Sequence, residues 1–397
     1  MKKEKIINTI LITFNFIIFL GFIIMTHRPL IYGGVTLSII GILECIFIKK
    51  LFSNVKVVII NLSILLFFIA LIELYLDIFK PVPYKQKKDF IKKYSKDYRA
   101  SDHLLGYIPR KDKQSFEQLI DGNNIIFNVK YTINKKGIRI SPHDINDGFK
   151  NKDFINVLFF GCSFTYGEGL NDNETFPWQI EEMSNFRYKT YNFGFHGYGP
   201  NQMLRMLEIN FIDEIVDTNN TTLAFFLLGN FHLDRVSGKY PAIAWCGDSP
   251  RYVVDKKEIV KYKGKFFLGM LKYLAINKIA EKSSIAHHLE RILYNWKRTK
   301  KDSDLLLGIL KKSKIILKEK YNTELYVIIW NDKSFKKFDE WIDPLNNMGI
   351  PVILMTGIIP DLNENQEKYI LADGHPNKLS NNLIANYLFS YLQGIKK

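Results

Sequence analysis

"VLFFGCSFTYGEG", Val157–Gly169, decides how this chain is read. Four apolar residues run into a glycine, then Cys162 and Ser163, then aromatics and two more glycines. A short continuous apolar run that ends in a turn signal reads as a strand buried on both faces. Such a strand either happens to end in small residues or presents a nucleophile. Neighbouring side chains on an extended strand point opposite ways, so Cys162 and Ser163 do not both face a site. A free cysteine is usually a buried, inert thiol. If Ser163 faces the site, Cys162 faces the core. The next helix is expected to start at Ser163, its first amides and its dipole facing a developing oxyanion.

The same kind of run recurs at Thr221–Leu228, Leu325–Trp330 and Pro351–Met355, with a shorter one in "KTYNF" ending at Phe193. Helical patterns separate or follow them at Asn201–Phe211, Asp304–Tyr321 and Leu379–Leu392. Buried strands alternating with helices predict an α/β fold, a parallel sheet covered on both faces, over residues 151–397. Residues 231–300, rich in aromatic and basic residues, break the rhythm and read as an insertion. Residues 81–150 read as a Lys-rich juxtamembrane segment. It contains one strand-like run, Asn124–Asn134, which predicts a small β element.

Three apolar segments precede all of this. Ile6–Met25 has 20 residues and no charge, Leu30–Ile48 has only Glu44, and Val57–Phe79 has only Glu73 and Asp77. Each is long enough for the ~30 Å hydrocarbon layer, so residues 1–80 are expected to form three transmembrane helices. No small-residue cleavage site follows the first, which speaks against a signal peptide. Lys2, Lys3 and Lys5 precede it and only Arg28 follows. This places the amino terminus inside and, after three crossings, the rest of the chain outside the cytoplasm.

The 397 residues carry 55 Lys+Arg against 40 Asp+Glu, a formal charge of +15. An anionic neighbour is implied. No nucleic-acid motif accompanies the charge, so the lipid bilayer is the expected partner and nucleic acid is not. Three cysteines form no disulfide framework, and neither CxxC nor a Cys/His cluster suggests a metal. No cofactor is expected.

Ligand sites in open α/β sheets lie beyond the carboxyl ends of the strands. There the chain offers Ser163, then "GFHGYGPNQ" (Gly194–Gln202), "GNFHLD" (Gly229–Asp234) and, before the last helix, "DGHPN" (Asp373–Asn377). A hydroxyl, glycine amides, an amide side chain and a histidine with a nearby aspartate are the parts needed for acyl transfer. His196, His232 and Asp234 sit in the same loops as possible substrate-lining residues.

These four blocks, in this order, resemble the SGNH (GDSL-type) hydrolase superfamily over about three quarters of the chain. "YTINKKGIR" (Tyr131–Arg139) and "NDNETFP" (Asn171–Pro177) also resemble a bacterial branch of it. The resemblance implies a flavodoxin-like, three-layer α/β/α sandwich. It implies Ser163 as nucleophile, with Ser163, Gly197 and Asn230 forming the oxyanion hole, and His375 as base with Asp373 as its orienter. Two departures stand out. Cys162 replaces the family's usual Asp, and only Gly374 separates Asp373 from His375, where many members have two residues. Either a Ser–His–Asp triad or a Ser–His dyad is compatible with that spacing.

The resulting expectation is a serine esterase or O-acyltransferase acting on acyl esters, acetyl among them, of cell-envelope glycans. A transferase would need a separate donor-supplying membrane protein. A lipid esterase at the membrane surface, or a non-catalytic glycan-binding protein on a degenerate fold, are the alternatives.

Overall fold

A computed structural model describes residues 29–47, 53–79, 90–95, 97–146, 154–217, 222–239, 247–255, 259–266, 271, 283–293, 298–333 and 338–395. It divides into two compact units, one of residues 1–87 with 271–296, the other of residues 88–270 with 297–397.

In the first unit α1 (Pro29–Phe47) packs against α2 (Ser53–Phe79). Small residues let the backbones approach: the Ser38 hydroxyl donates to the Ser63 carbonyl at 2.7 Å, and a Cβ on Gly41 would lie 2.2 Å from Ser63 Oγ. Among the described residues, only Lys56–Phe79 is long and apolar enough to cross a membrane, with 24 residues at mean hydropathy 2.8. This corrects the expectation of three spans. In α1 the apolar part Ile31–Glu44 falls short of the ~20 residues a crossing needs. Ile6–Met25 lies outside the described residues. Glu73, fully buried on α2, accepts from the backbone N–H groups of Ser284 (2.5 Å) and Ile285 (2.9 Å) and from the Ser283 hydroxyl (2.9 Å). It thereby caps the helix Ser284–Leu293, part of the stretch expected to be an insertion.

The second unit opens with β1 (Phe90–Tyr94), β2 (Arg99–Asp102), β3 (Gly106–Pro109), β4 (Lys113–Asp121) and β5 (Asn124–Ile133). All their pairings are antiparallel, in the orders β1-β4-β5 and β2-β3. The small β element expected around Asn124 is thus a three-stranded sheet. Then come β6 (Ile155–Phe160), the single turn α3 (Ser163–Tyr166), α4 (Phe176–Met183), β7 (Tyr188–Asn192), α5 (Pro200–Glu208), β8 (Thr222–Leu228) and α6 (His232–Ser237). The antiparallel pair β9 (Pro250–Val254) and β10 (Val260–Lys265) follows. The unit closes with α7 (Lys300–Tyr321), β11 (Glu324–Ile329), α8 (Asp339–Asn347), β12 (Val352–Leu354) and α9 (Lys378–Ile395).

Five strands form one parallel sheet in the order β12-β11-β8-β6-β7. Its faces follow from strict alternation. Leu158, Phe160, Ala224, Phe226, Val327 and Ile329 enter the core shared with α5, α7 and α8, whereas Val157, Phe159, Leu223, Phe225, Ile328 and Ile353 enter the core shared with α4 and α9. Both faces being covered, the strands read as unbroken apolar runs. The chain leaves β6 for β7 on one side and then crosses to β8 on the other. The crevice at this switch point, beyond β6, is where such sheets bind ligands.

Candidate active site

Ser163 is the first residue of α3, immediately beyond β6 and 6% exposed. Cys162 precedes it at the cap position with no exposed surface, its sulfur accepting from the Phe164 N–H at 3.5 Å. The expected helix begins where the sequence placed it but runs for a single turn, so it supplies local N–H groups rather than a sizeable macrodipole. Gly194, beyond β7, lets the next loop pass directly beneath: a Cβ there would stand 2.6 Å from the Tyr166 nitrogen and 2.9 Å from the Cys162 carbonyl. Gly197 adopts φ +74°, the left-handed conformation that turns this loop over the end of β6.

His375 reaches Ser163 from the loop before α9. Its Nε2 lies 2.9 Å from Ser163 Oγ, within nucleophile–base hydrogen-bond range. A tight turn presents it, with the Leu371 N–H donating to the His375 carbonyl (2.7 Å) and the Gly374 N–H to the Leu371 carbonyl (2.8 Å). Asp373 Oδ2 sits 3.1 Å from His375 Nδ1, at ion-pair distance but without hydrogen-bond alignment, while Oδ1 accepts from the His375 backbone N–H at 3.3 Å. The one-residue spacing explains this: the carboxylate folds back on its own turn rather than meeting the ring along the N–H direction.

Asn230, just beyond β8, lines a cavity of about 540 Å³ together with Gly229, Phe164, Trp330 and Gly374. The loops that carry Ser163, Asn230 and the Asp–Gly–His turn therefore converge at the carboxyl end of the sheet.

Glu168 escaped the sequence reading. It is 5% exposed, and its Oε2 lies 2.5 Å from His196 Nδ1 and 3.3 Å from His375 Nε2. Lys92 of β1 pairs with its other oxygen and, at 2.6 Å, with Glu117 of β4. Burial alone would raise the Glu168 pKa, but His196, His375 and Lys92 hold it well below the usual carboxylate range. Burial likewise works to lower that of His375, yet Glu168 and then Asp373 outweigh it and hold the imidazole above its ordinary value. The carboxylate facing Nε2 at ion-pair distance thus favours the imidazolium, whose single Nε2–H points at Ser163.

Arg139 explains how Glu168 is held. Fully buried, it donates to the carbonyls of Tyr166 (2.5 Å), Gly167 (2.8 Å) and Leu170 (2.6 Å), and its Nε to Asp172 at 3.1 Å. The guanidinium pins the loop between α3 and Asp172 by its backbone, leaving the Glu168 side chain aimed inward. "YTINKKGIR" and "NDNETFP" each contribute one end of that pin. Only the "GEG" spelling of the opening stretch marked the Glu168 loop in the sequence.

The three expected lining residues fare differently. His196 lies against Glu168. His232 has no exposed surface; its Nδ1 accepts from the Gly229 N–H at 2.8 Å, and burial first, then Arg235, hold its pKa well below the usual value. It props the Asn230 loop from below and does not line the cavity. Asp234 is 8% exposed and grips Arg298 through two contacts, at 3.1 and 2.8 Å, rather than the neighbouring Arg235. Arg235 instead donates to the Tyr198 carbonyl at 2.5 Å and covers the Phe231 ring. Among the described residues, Glu168, Asp373 and His375 are near enough to ligate a metal, but each is already engaged in the contacts above.

No family model matches the sequence, and no curated protein sequence matches it. Solved structures to which the chain is similar include a member of the lipolytic G-D-S-L family from Veillonella parvula. That match has a TM-score of 0.35 and 13% identity over 58% of this chain and 94% of that one. A lipolytic protein of the G-D-S-L family from Desulfitobacterium hafniense gives 0.32 and 12% over 59% and 98%. A catalytic mutant of an acetylxylan esterase from Geobacillus stearothermophilus gives 0.35 and 10% over 59% and 92%.

Proposed function

We propose that this chain is an SGNH-type serine ester hydrolase or O-acyltransferase, anchored to a membrane through α2 and acting on acyl esters of cell-envelope glycans. The observation that carries the reading is the 2.9 Å approach of His375 Nε2 to Ser163 Oγ at the switch point of a parallel sheet. His375 takes the Ser163 proton as Oγ attacks the acyl carbon. The backbone N–H groups of Ser163 and Gly197 and the Asn230 amide donate to the oxyanion. The imidazolium then returns its proton to the leaving alcohol, and water or a sugar hydroxyl releases the acyl group from Ser163. Glu168 and Asp373 flank the imidazolium while it carries charge. The membrane-length helix Lys56–Phe79 supports a substrate held in the cell envelope.

The test is hydrolysis of p-nitrophenyl acetate by the full chain in detergent, wild type beside Ser163→Ala. Turnover that disappears in the variant is expected. Turnover that persists, or none in the wild type, overturns the reading.

A further inference from the structure

The small antiparallel sheet supplies no group to the catalytic steps above, its Lys92 only pairing with Glu168, yet it encloses a second cavity, of about 210 Å³. His196 forms one wall, and its Nδ1 lies 2.5 Å from the Glu168 carboxylate that faces His375 Nε2, so one carboxylate links the cavity wall to the reacting centre. The remaining walls divide by chemistry. Tyr94 and Phe116, each 57% exposed, present aromatic surface with Tyr98. Deeper in lies Glu117, 4% exposed, with Lys92 Nζ 2.6 Å away and the Tyr131 hydroxyl donating to it at 2.5 Å.

We propose that this cavity is a subsite for a single neutral pyranose ring of the ester-bearing substrate. The assignment rests on the esterase reading and names the group recognised beside the ester. A pyranose has apolar C–H faces and a hydroxyl edge, matching aromatic walls over a buried carboxylate that still has lone pairs to accept. An acyl chain fits poorly, because it would bury methylenes against the Lys92–Glu117 pair and strip water from both charges without replacing it. An anionic sugar or phosphate fits poorly too: Lys92, the cation in the cavity wall, is already shared between Glu117 and Glu168. The volume lies below the ~300 Å³ at which pockets for drug-sized ligands begin, which suits one ring and not two.

The experiment uses the full chain in detergent and compares kcat/KM for a mono-O-acetylated methyl glucopyranoside with that for p-nitrophenyl acetate. Phe116→Ala and Tyr94→Ala should each lower the sugar-to-aryl ratio about tenfold, mainly through KM for the sugar ester, as lost uniform binding does. Calorimetric titration of Ser163→Ala with methyl glucopyranoside, which has no ester, reads the subsite without the chemistry. Heat of binding is expected, and it should vanish when Phe116→Ala is added. An unchanged ratio in both aromatic variants, with no binding to Ser163→Ala, overturns the subsite and leaves the esterase reading standing. Binding without turnover of either ester upholds the subsite and removes the esterase. A loss confined to p-nitrophenyl octanoate would make the cavity an acyl pocket and overturn the proposal.

Discussion

Glu168→Gln removes one negative charge and, with it, the Lys92 contact. The amide carbonyl that takes the place of the carboxylate can still accept from His196 Nδ1, so the loop geometry is conserved. A unit charge 3.3 Å from the imidazolium is worth about 5 kcal/mol at an effective dielectric of about 20. Lys92, bound to the same carboxylate, opposes a smaller part of that field at His375. Opposite charges at such range typically move a pKa by about 1–3 units, each unit being ~1.4 kcal/mol. The sign follows from the role. His375 must be neutral to accept the Ser163 proton, and Glu168 favours its charged form. Losing Glu168 therefore lowers the His375 pKa, and the acid limb of kcat/KM moves towards lower pH. The plateau should fall by about tenfold, since the same charge stabilises the imidazolium in the transition state. The assay is the pH profile of kcat/KM for p-nitrophenyl acetate, which reports the free enzyme's ionisations. An acid limb that stays within ~0.2 unit of the wild type, whatever happens to the plateau, would refute the electrostatic coupling and leave Glu168 as a structural acid.

Cys162→Ala should retain most activity, because the thiol is buried behind the nucleophile; loss of turnover there would mean that the sulfur reacts. Asn230→Ala should lower kcat by about 10²–10³ with KM nearly unchanged, the signature of a donor engaged mainly in the transition state. Asp373→Asn should cost less than about 100-fold, against ~10⁴ where an aspartate lies in line with its histidine, since Asp373 stands off the Nδ1–H direction. A loss near 10⁴ would show that the turn realigns when substrate binds. Arg139→Met leaves the Tyr166, Gly167 and Leu170 carbonyls without their buried donor. About 3–5 kcal/mol of stability should go, seen as a thermal midpoint lower by about 10 °C at ~2–4 °C per kcal/mol.

What could be read from the sequence was whatever depends on local pattern. The runs ending in Phe160, Leu228 and Trp330 declared a doubly covered sheet because alternate residues on each strand face different apolar layers. The blocks that hold Ser163, Gly197, Asn230 and His375 stood out because each lies just past a strand or just before the last helix, where backbone turns need small or polar residues, and the resemblance singled out those residues within them. Glu168 was invisible, since nothing in "YGEGL" says which way its side chain points until Arg139 has pinned that loop's carbonyls. The misalignment of Asp373 was hinted at by the single intervening glycine and decided only by the turn that Leu371 and His375 close. The helix at Ser284 joins the amino-terminal unit because its free N–H groups find a buried carboxylate on Glu73, 211 positions earlier in the chain. Periodicity and turn chemistry act over a few residues and are written in sequence order. Where a buried charge finds its partners is set by the packed fold, because desolvation makes an unpartnered charge too costly and the partner can come from anywhere in the chain.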